Sequence, residues 1–149
     1  MDGVSGAAAI LSLIKTTQTV SSWISYAVHA AEHIGDLHSE LEAFKILVNG
    51  LQRAVDAGTL PPSPLIAQID AAIAEATQTI NRLRVILLQA RNGTAWDLPR
   101  LRFVLRQSQC AGLRSRIQRH TCALTGIMLV VIHDSGYVPH TCCFVTIAA

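Results

Sequence analysis

Apolar residues recur along most of this chain at spacings of three and four, and the breaks between the runs divide it into long helices. The sharpest run is Ile66, Ile69, Ile73, Ala76, Ile80, Leu83 and Leu87. That is a coiled-coil-like seam, and it predicts a helix of roughly 40 Å that ends before Gly93. Ahead of it, "GTLPPSP" reads as a rigid turn in which Ser63 caps a helix whose first position is Pro64. Leu37, Leu41, Phe44, Val48, Leu51 and Val55 mark another helix, with Asp36 expected as its N-cap and Gly58 at its stop. From about Ser108, the positions Leu113, Ile117, Leu124, Met128 and Val131 predict a further long helix. Between them, "GTAWDLPRLRFVLRQ" is a connector whose Trp96, Leu98, Phe103 and Leu105 should fold back onto the bundle. After His133 the period lapses, and "DSGYVPHTCCFVTIAA" joins a turn signal and a proline to a β-prone run. The expected fold is all-α: a bundle of four long helices plus a short connector over residues 1–132, then an irregular or disordered tail over 133–149.

The opening stretch, Gly3 to Ala31, carries a single charge, Lys15. Ala7, Leu11, Ile14, Ile24, Ala27, Val28 and Ala31 fall on one predicted apolar face. Ser12, Lys15, Thr16, Thr19, Ser22 and Tyr26 form a hydroxyl-rich stripe at the same period. The basic n-region of a secretory signal is missing, because Asp2 is the only charge before Lys15. Thr16 to Thr19 and Ser21-Ser22 interrupt any run of about 20 apolar residues that a spanning helix needs. The expectation is a bundle helix that would lose little on moving to a lipid interface.

Half of the residues are apolar, 15% are charged and 5% are aromatic, which suits an aliphatic helical bundle better than a β-sandwich. The net charge of +2 hides a strong asymmetry. Residues 1–81 hold three cations against eight acids, whereas residues 82–119 hold nine arginines against Asp97 alone. Arg100, Arg102, Arg106, Arg114, Arg116 and Arg119 form a candidate basic surface for anionic lipid headgroups, beside Arg82, Arg84 and Arg91. The plainer expectation is a solvated face that also pairs with Glu40, Glu42 and Asp56 of the acidic helix. Nucleic acid is not an expected partner, since no aromatic residues interleave the basic ones.

Catalytic and cofactor chemistry find little support. His29, His33 and His38 cluster in sequence, but Gly35-Asp36 is expected to break the helix between the second and third, so no metal site is predicted. Cys110, Cys122, Cys142 and Cys143 form no C-x-x-C pair and read as free thiols. No phosphate-binding glycine loop, nucleophile elbow or zinc-protease motif occurs, so neither an enzyme nor a cofactor is expected. Asn92-Gly93-Thr94 fits a glycosylation acceptor that would matter only on export.

Three segments together carry a resemblance. "MDGVSGAAAILSLIKTTQTVSSWIS" is a small-residue, near-uncharged opening helix, and "LHSELEAFKILVNGL" pairs leucines with acids. "WDLPRLRFVLRQSQCAGLRSRIQRHTCALTGIML" joins a tryptophan and a basic connector to a final amphipathic helix. Over residues 1–132 this pattern resembles the fungal HeLo-like N-terminal domains of STAND (NOD-like receptor) proteins. The same domain heads a protein of an azaphilone pigment cluster. "QCAGL" departs from the charged helix formers usual at that place, and the last residues resemble nothing in the family.

The resemblance implies a bundle related to the HeLo cell-death domain and to that of the mixed-lineage kinase-domain-like pseudokinase. It also implies a non-enzymatic effector, cytoplasmic at rest, that homo-oligomerises under a sensor or partner protein and is recruited to anionic lipids of the plasma membrane. Carried onto this sequence, the membrane-active positions are Gly3, Val4, Gly6, Ala7, Ile10, Leu11, Leu13 and Ile14. The alternative expectation is a protein–protein interaction scaffold with no membrane activity.

Overall fold

The computed structural model describes residues 3–28, 32–58, 63–92, 95–106 and 108–134. These form five helices: α1 (Gly3–Val28), α2 (Glu32–Asp56), α3 (Ser63–Leu88), α4 (Leu98–Arg106) and α5 (Ser108–Asp134). Two short strands, β1 (Arg91–Asn92) and β2 (Ala95–Trp96), pair antiparallel between α3 and α4. The protein is an all-α bundle of four long helices, with the small ladder and α4 as the connector.

Each long helix packs on two others. α1 lies against α2 and α3, while α5 lies against the other sides of α2 and α3. Side-chain contacts fix the directions. Asp36 meets Arg114, and Gly50 approaches Met128, so α2 and α5 run parallel. Gly6 lies beside Asp70, whereas Lys15 and Trp23 share a cleft with Arg84 and Arg91, so α1 and α3 also run parallel.

The seam of α3 faces the core as its spacing predicts: Ile69, Ile73, Ala76, Ile80, Leu83 and Leu87 are buried. They meet Leu41, Phe44, Val48 and Leu51 of α2 and Leu113, Ile117 and Leu124 of α5 in one hydrophobic cluster. Gly58 closes α2 with φ +66°, the left-handed conformation that a helix C-terminus favours in glycine. Its N–H donates to the Val55 carbonyl (3.0 Å), and that of Ala57 to the Arg53 carbonyl (2.9 Å).

Four local expectations are corrected. Asp36 is not an N-cap, because α2 begins at Glu32 and continues through Gly35 and Asp36; Asp36 instead reaches across to Arg114. The histidine cluster is therefore not split by a helix break between His33 and His38, whereas His29 lies outside the described residues. Leu98 and Phe103 are exposed, and the connector folds back through Leu101, Val104 and Leu105. The buried face of α1 is Ile10, Leu13, Ile14, Thr17, Val20, Ser21 and Ile24, with Leu11 on the outside. The tail beyond Asp134, with Cys142 and Cys143, lies outside the described residues, as does Ala31.

Candidate functional site

α1 buries two hydroxyl residues, and each is satisfied. Thr17 donates to the Leu13 carbonyl (2.8 Å), and Ser21 donates to Glu42 Oε1 on α2. On the half-exposed and exposed faces, Thr16 and Thr19 donate to carbonyls four residues back. Ser22 and Ser25 do the same three residues back. Such back-bonding lets serine and threonine sit in an apolar helix without demanding water. Lys15 is exposed and remains the one charge of the helix.

The predicted membrane-active positions divide by burial. Ile10, Leu13 and Ile14 are locked in the core, Gly6 and Ala7 are half-buried, and Leu11 is 45% exposed. Gly3 and Val4 belong to α1, but their side-chain positions lie outside the described residues. Among the described residues no helix is long and apolar enough to cross a membrane.

Glu42 is the polar node between α1 and α2. Its carboxyl is held below the usual range first by the hydrogen bond from Lys45, then by that from Ser21. Across the bundle, Thr79 of α3 and His120 of α5 form the corresponding bridge, 2.9 Å from Oγ1 to Nε2 and buried. Thr79 Oγ1 also reaches the Glu75 carbonyl (3.1 Å), and which partner donates between Thr79 and His120 follows the imidazole tautomer. Burial lowers the His120 pKa, opposed by Glu75 and reinforced by Arg119 and Arg116.

Of the predicted basic surface, Arg114 is ion-paired and Arg102 is half-buried. Arg114 pairs with Asp36 at 3.0 Å, so this cross-helix ion pair runs to Asp36 and not to the expected Glu40, Glu42 or Asp56. Glu42 is taken by Lys45, and Asp56 accepts from Gln52 Nε2 (2.7 Å). Arg102 is half-buried with its Nε unpartnered, whereas Arg100, Arg106 and Arg119 face solvent.

Two recesses collect the remaining cations, one on either side of α3. A groove of about 590 Å³ between α3 and α5 is floored by Val85, Ile86 and Leu113 and flanked by Arg82 and Arg116. A second cleft, of about 450 Å³, lies between α1 and the end of α3 and holds Lys15, Arg84 and Arg91. This second grouping has no one-dimensional signature, because the parallel α1–α3 contact creates it.

Among the described residues no cluster of histidine, cysteine, aspartate and glutamate could hold a metal ion. Cys110 is buried, its thiol donates to the Val104 carbonyl at 3.4 Å, and burial pushes its pKa up, so it is a poor nucleophile. Cys122 is exposed and free. No family model, curated protein or solved structure matches the chain.

Proposed function

We propose that this chain is a non-enzymatic effector module of the HeLo-like kind, which assembles with copies of itself and acts at anionic membranes in cell death or non-self recognition. The observation that carries the reading is the chemistry of α1. That helix has one charge, hydroxyls bonded back to its own carbonyls, and an aliphatic grip on the bundle. What would resist transfer to a lipid interface is Lys15, the Gln18 amide and Ser21, whose proton goes to Glu42 of α2.

The magnitudes restrict how the transfer would happen. Ile10, Leu13, Ile14, Val20 and Ile24 are buried, and at roughly 2 kcal/mol each their exposure costs about 10 kcal/mol. That is as large as the whole stability of an ordinary domain, about 5–15 kcal/mol. Release of α1 therefore needs an equal burial elsewhere, which lipid or an assembled copy would provide. Val4 to Ile14 spans about 16 Å as a helix, enough for one leaflet.

The α3–α5 groove favours the scaffold as a second reading. An apolar floor between two arginines suits an amphipathic partner helix with acidic flanks. Leakage from anionic vesicles separates the two. Forced dimerisation of the purified chain should release vesicle contents, and Leu11→Glu, at an exposed position, should abolish release while the bundle stays folded. Intact vesicles under forced assembly would leave the scaffold.

A further inference from the structure

We propose that the cleft between α1 and the end of α3 is a binding site for a phosphate-class anion, held by Lys15, Arg84 and Arg91. The first ground is convergence. These three residues come from α1, α3 and β1, and among the described residues the recess they share, about 450 Å³, has no carboxylate in its lining. Among the described residues none of the three forms an ion pair, although Lys45 and Arg114 elsewhere do. Three like charges gathered around one hollow repel each other, and a bound anion removes that repulsion. A recess of this size accommodates a small phosphorylated molecule.

The second ground is that one of the three cations, Arg91, is held over an aromatic ring at the edge of the cleft. The Arg91 guanidinium lies over the Trp96 ring, 5.6 Å from its centroid, as a cation–π contact. Trp96 is itself braced by Trp23, with ring centroids 5.2 Å apart and planes tilted by 55°. The ladder register places Arg91 directly opposite Trp96, so the backbone enforces the stack. Arg91 has therefore already lost much of the side-chain freedom that binding would otherwise remove. A guanidinium so fixed offers a bidentate fork to a phosphate, and Lys15 adds a point charge from the facing helix.

The hydroxyls of the cleft do not compete for this role. Thr16 and Thr19 have given their protons to the carbonyls of Ser12 and Lys15, so the cations alone meet the anion's charge. Trp23 and Leu88 form an apolar wall beside them, which suits a ligand whose phosphate is attached to an uncharged body. Both a free phosphorylated molecule and a phospholipid headgroup present that chemistry. Lys15, Thr16, Thr19 and Trp23 belong to α1, so the site exists while α1 rests on the bundle, and its test uses that resting chain without any release of α1.

The chain has two tryptophans, and both flank this cleft, so intrinsic fluorescence reads the site directly. Inorganic pyrophosphate is titrated at low ionic strength, where exposed charges are least screened. In a parallel arm, phosphatidylcholine vesicles with and without phosphatidylinositol phosphate are sedimented with the protein. Lys15→Gln, Arg84→Gln and Arg91→Gln are each expected to weaken binding about tenfold, the scale of one charge-assisted hydrogen bond. Arg53→Gln, at an exposed position on α2 outside both recesses, removes the same charge elsewhere and should leave it within about twofold. Saturation by pyrophosphate assigns a free phosphate, and cleft-dependent vesicle binding alone assigns a headgroup; either result supports the site. Equal losses in cleft and control variants would reduce the effect to net charge and overturn it. So would binding in neither arm, with circular dichroism confirming that every variant is folded.

Discussion

Truncating two leucines two residues apart on α1, on opposite faces of the helix, discriminates the observed packing from the one its hydropathy suggests. Leu13 is fully buried, whereas Leu11 keeps 45% of its surface in water. Leu13→Ala removes three buried carbons and leaves a cavity among core side chains that relax only partly, at a cost of about 2.7–5 kcal/mol. At about 2–4 °C per kcal/mol for a chain near this length, the melting temperature should fall by roughly 5–20 °C. Leu11→Ala loses only part of one side chain's burial and opens no cavity, so its cost should stay below about 1 kcal/mol. Thermal melts followed by helical circular dichroism, with urea titration as a check, read both. Equal losses, or a larger one at Leu11, would refute the assigned face of α1. The pair also decides which substitutions can probe membrane action. Leu11→Glu alters an exposed position, but Ile14 is only 7% exposed, and a glutamate there would place an unpaired carboxylate in the core at several kcal/mol.

Other perturbations test the remaining elements. Gly58→Ala should cost about 1 kcal/mol through its positive φ, although a methyl there would meet no atom within 4 Å. Gly126→Ala, in the interior of α5 and equally open, should instead gain about 0.4–1 kcal/mol; a stabilised Gly58→Ala in chemical denaturation would contradict the cap. Stability should decline on acidification, in two stages. His120 is depressed below 6.5, so as the pH drops past that value the unfolded chain takes up a proton that the folded one resists. Glu42 is depressed below 4.5, so its contribution is full above that value and is lost as the pH falls through its lower folded pKa. Urea midpoints between about pH 8 and about pH 5 isolate the first stage, and an unchanged slope in His120→Gln would remove that histidine from the account.

Most of the α3 seam was legible because Ile69, Ile73, Ala76, Ile80, Leu83 and Leu87 are aliphatic and strictly spaced; Ile66, nearer the start of the helix, is only half-buried, and Thr79 is buried without a hydropathy signal. α1 was harder, since Thr17 and Ser21 look polar in the sequence and yet are buried. Threonine hides its hydroxyl in its own helix, and serine spends its proton on Glu42. Asp36 misled for the opposite reason. Its capping preference is real, but the chain keeps turning from Glu32 and the carboxylate serves Arg114. The start of α4 carries its signal in "WDLP". Asp97 Oδ1 accepts from the Arg100 N–H at 3.2 Å as a true N-cap, with Pro99 in the first turn. The two-residue ladder beside it is too short for any period to show. The cation cleft depends on which helices are neighbours, and that order is a property of the assembled bundle alone.

The order in which the helices meet also bears on biosynthesis. α1 and α2 form a local hairpin that can close as soon as both have left the ribosome. α3 follows and finds its place on α1, but the other flank of its isoleucine seam waits for α5, the last long helix to emerge. Until Leu113, Ile117 and Leu124 arrive, Phe44 and Ile80 lack one of the walls that enclose them in the finished core. A nascent chain stalled before α5 therefore presents an open aliphatic trough to its surroundings, the kind of surface that recruits chaperones or drives aggregation.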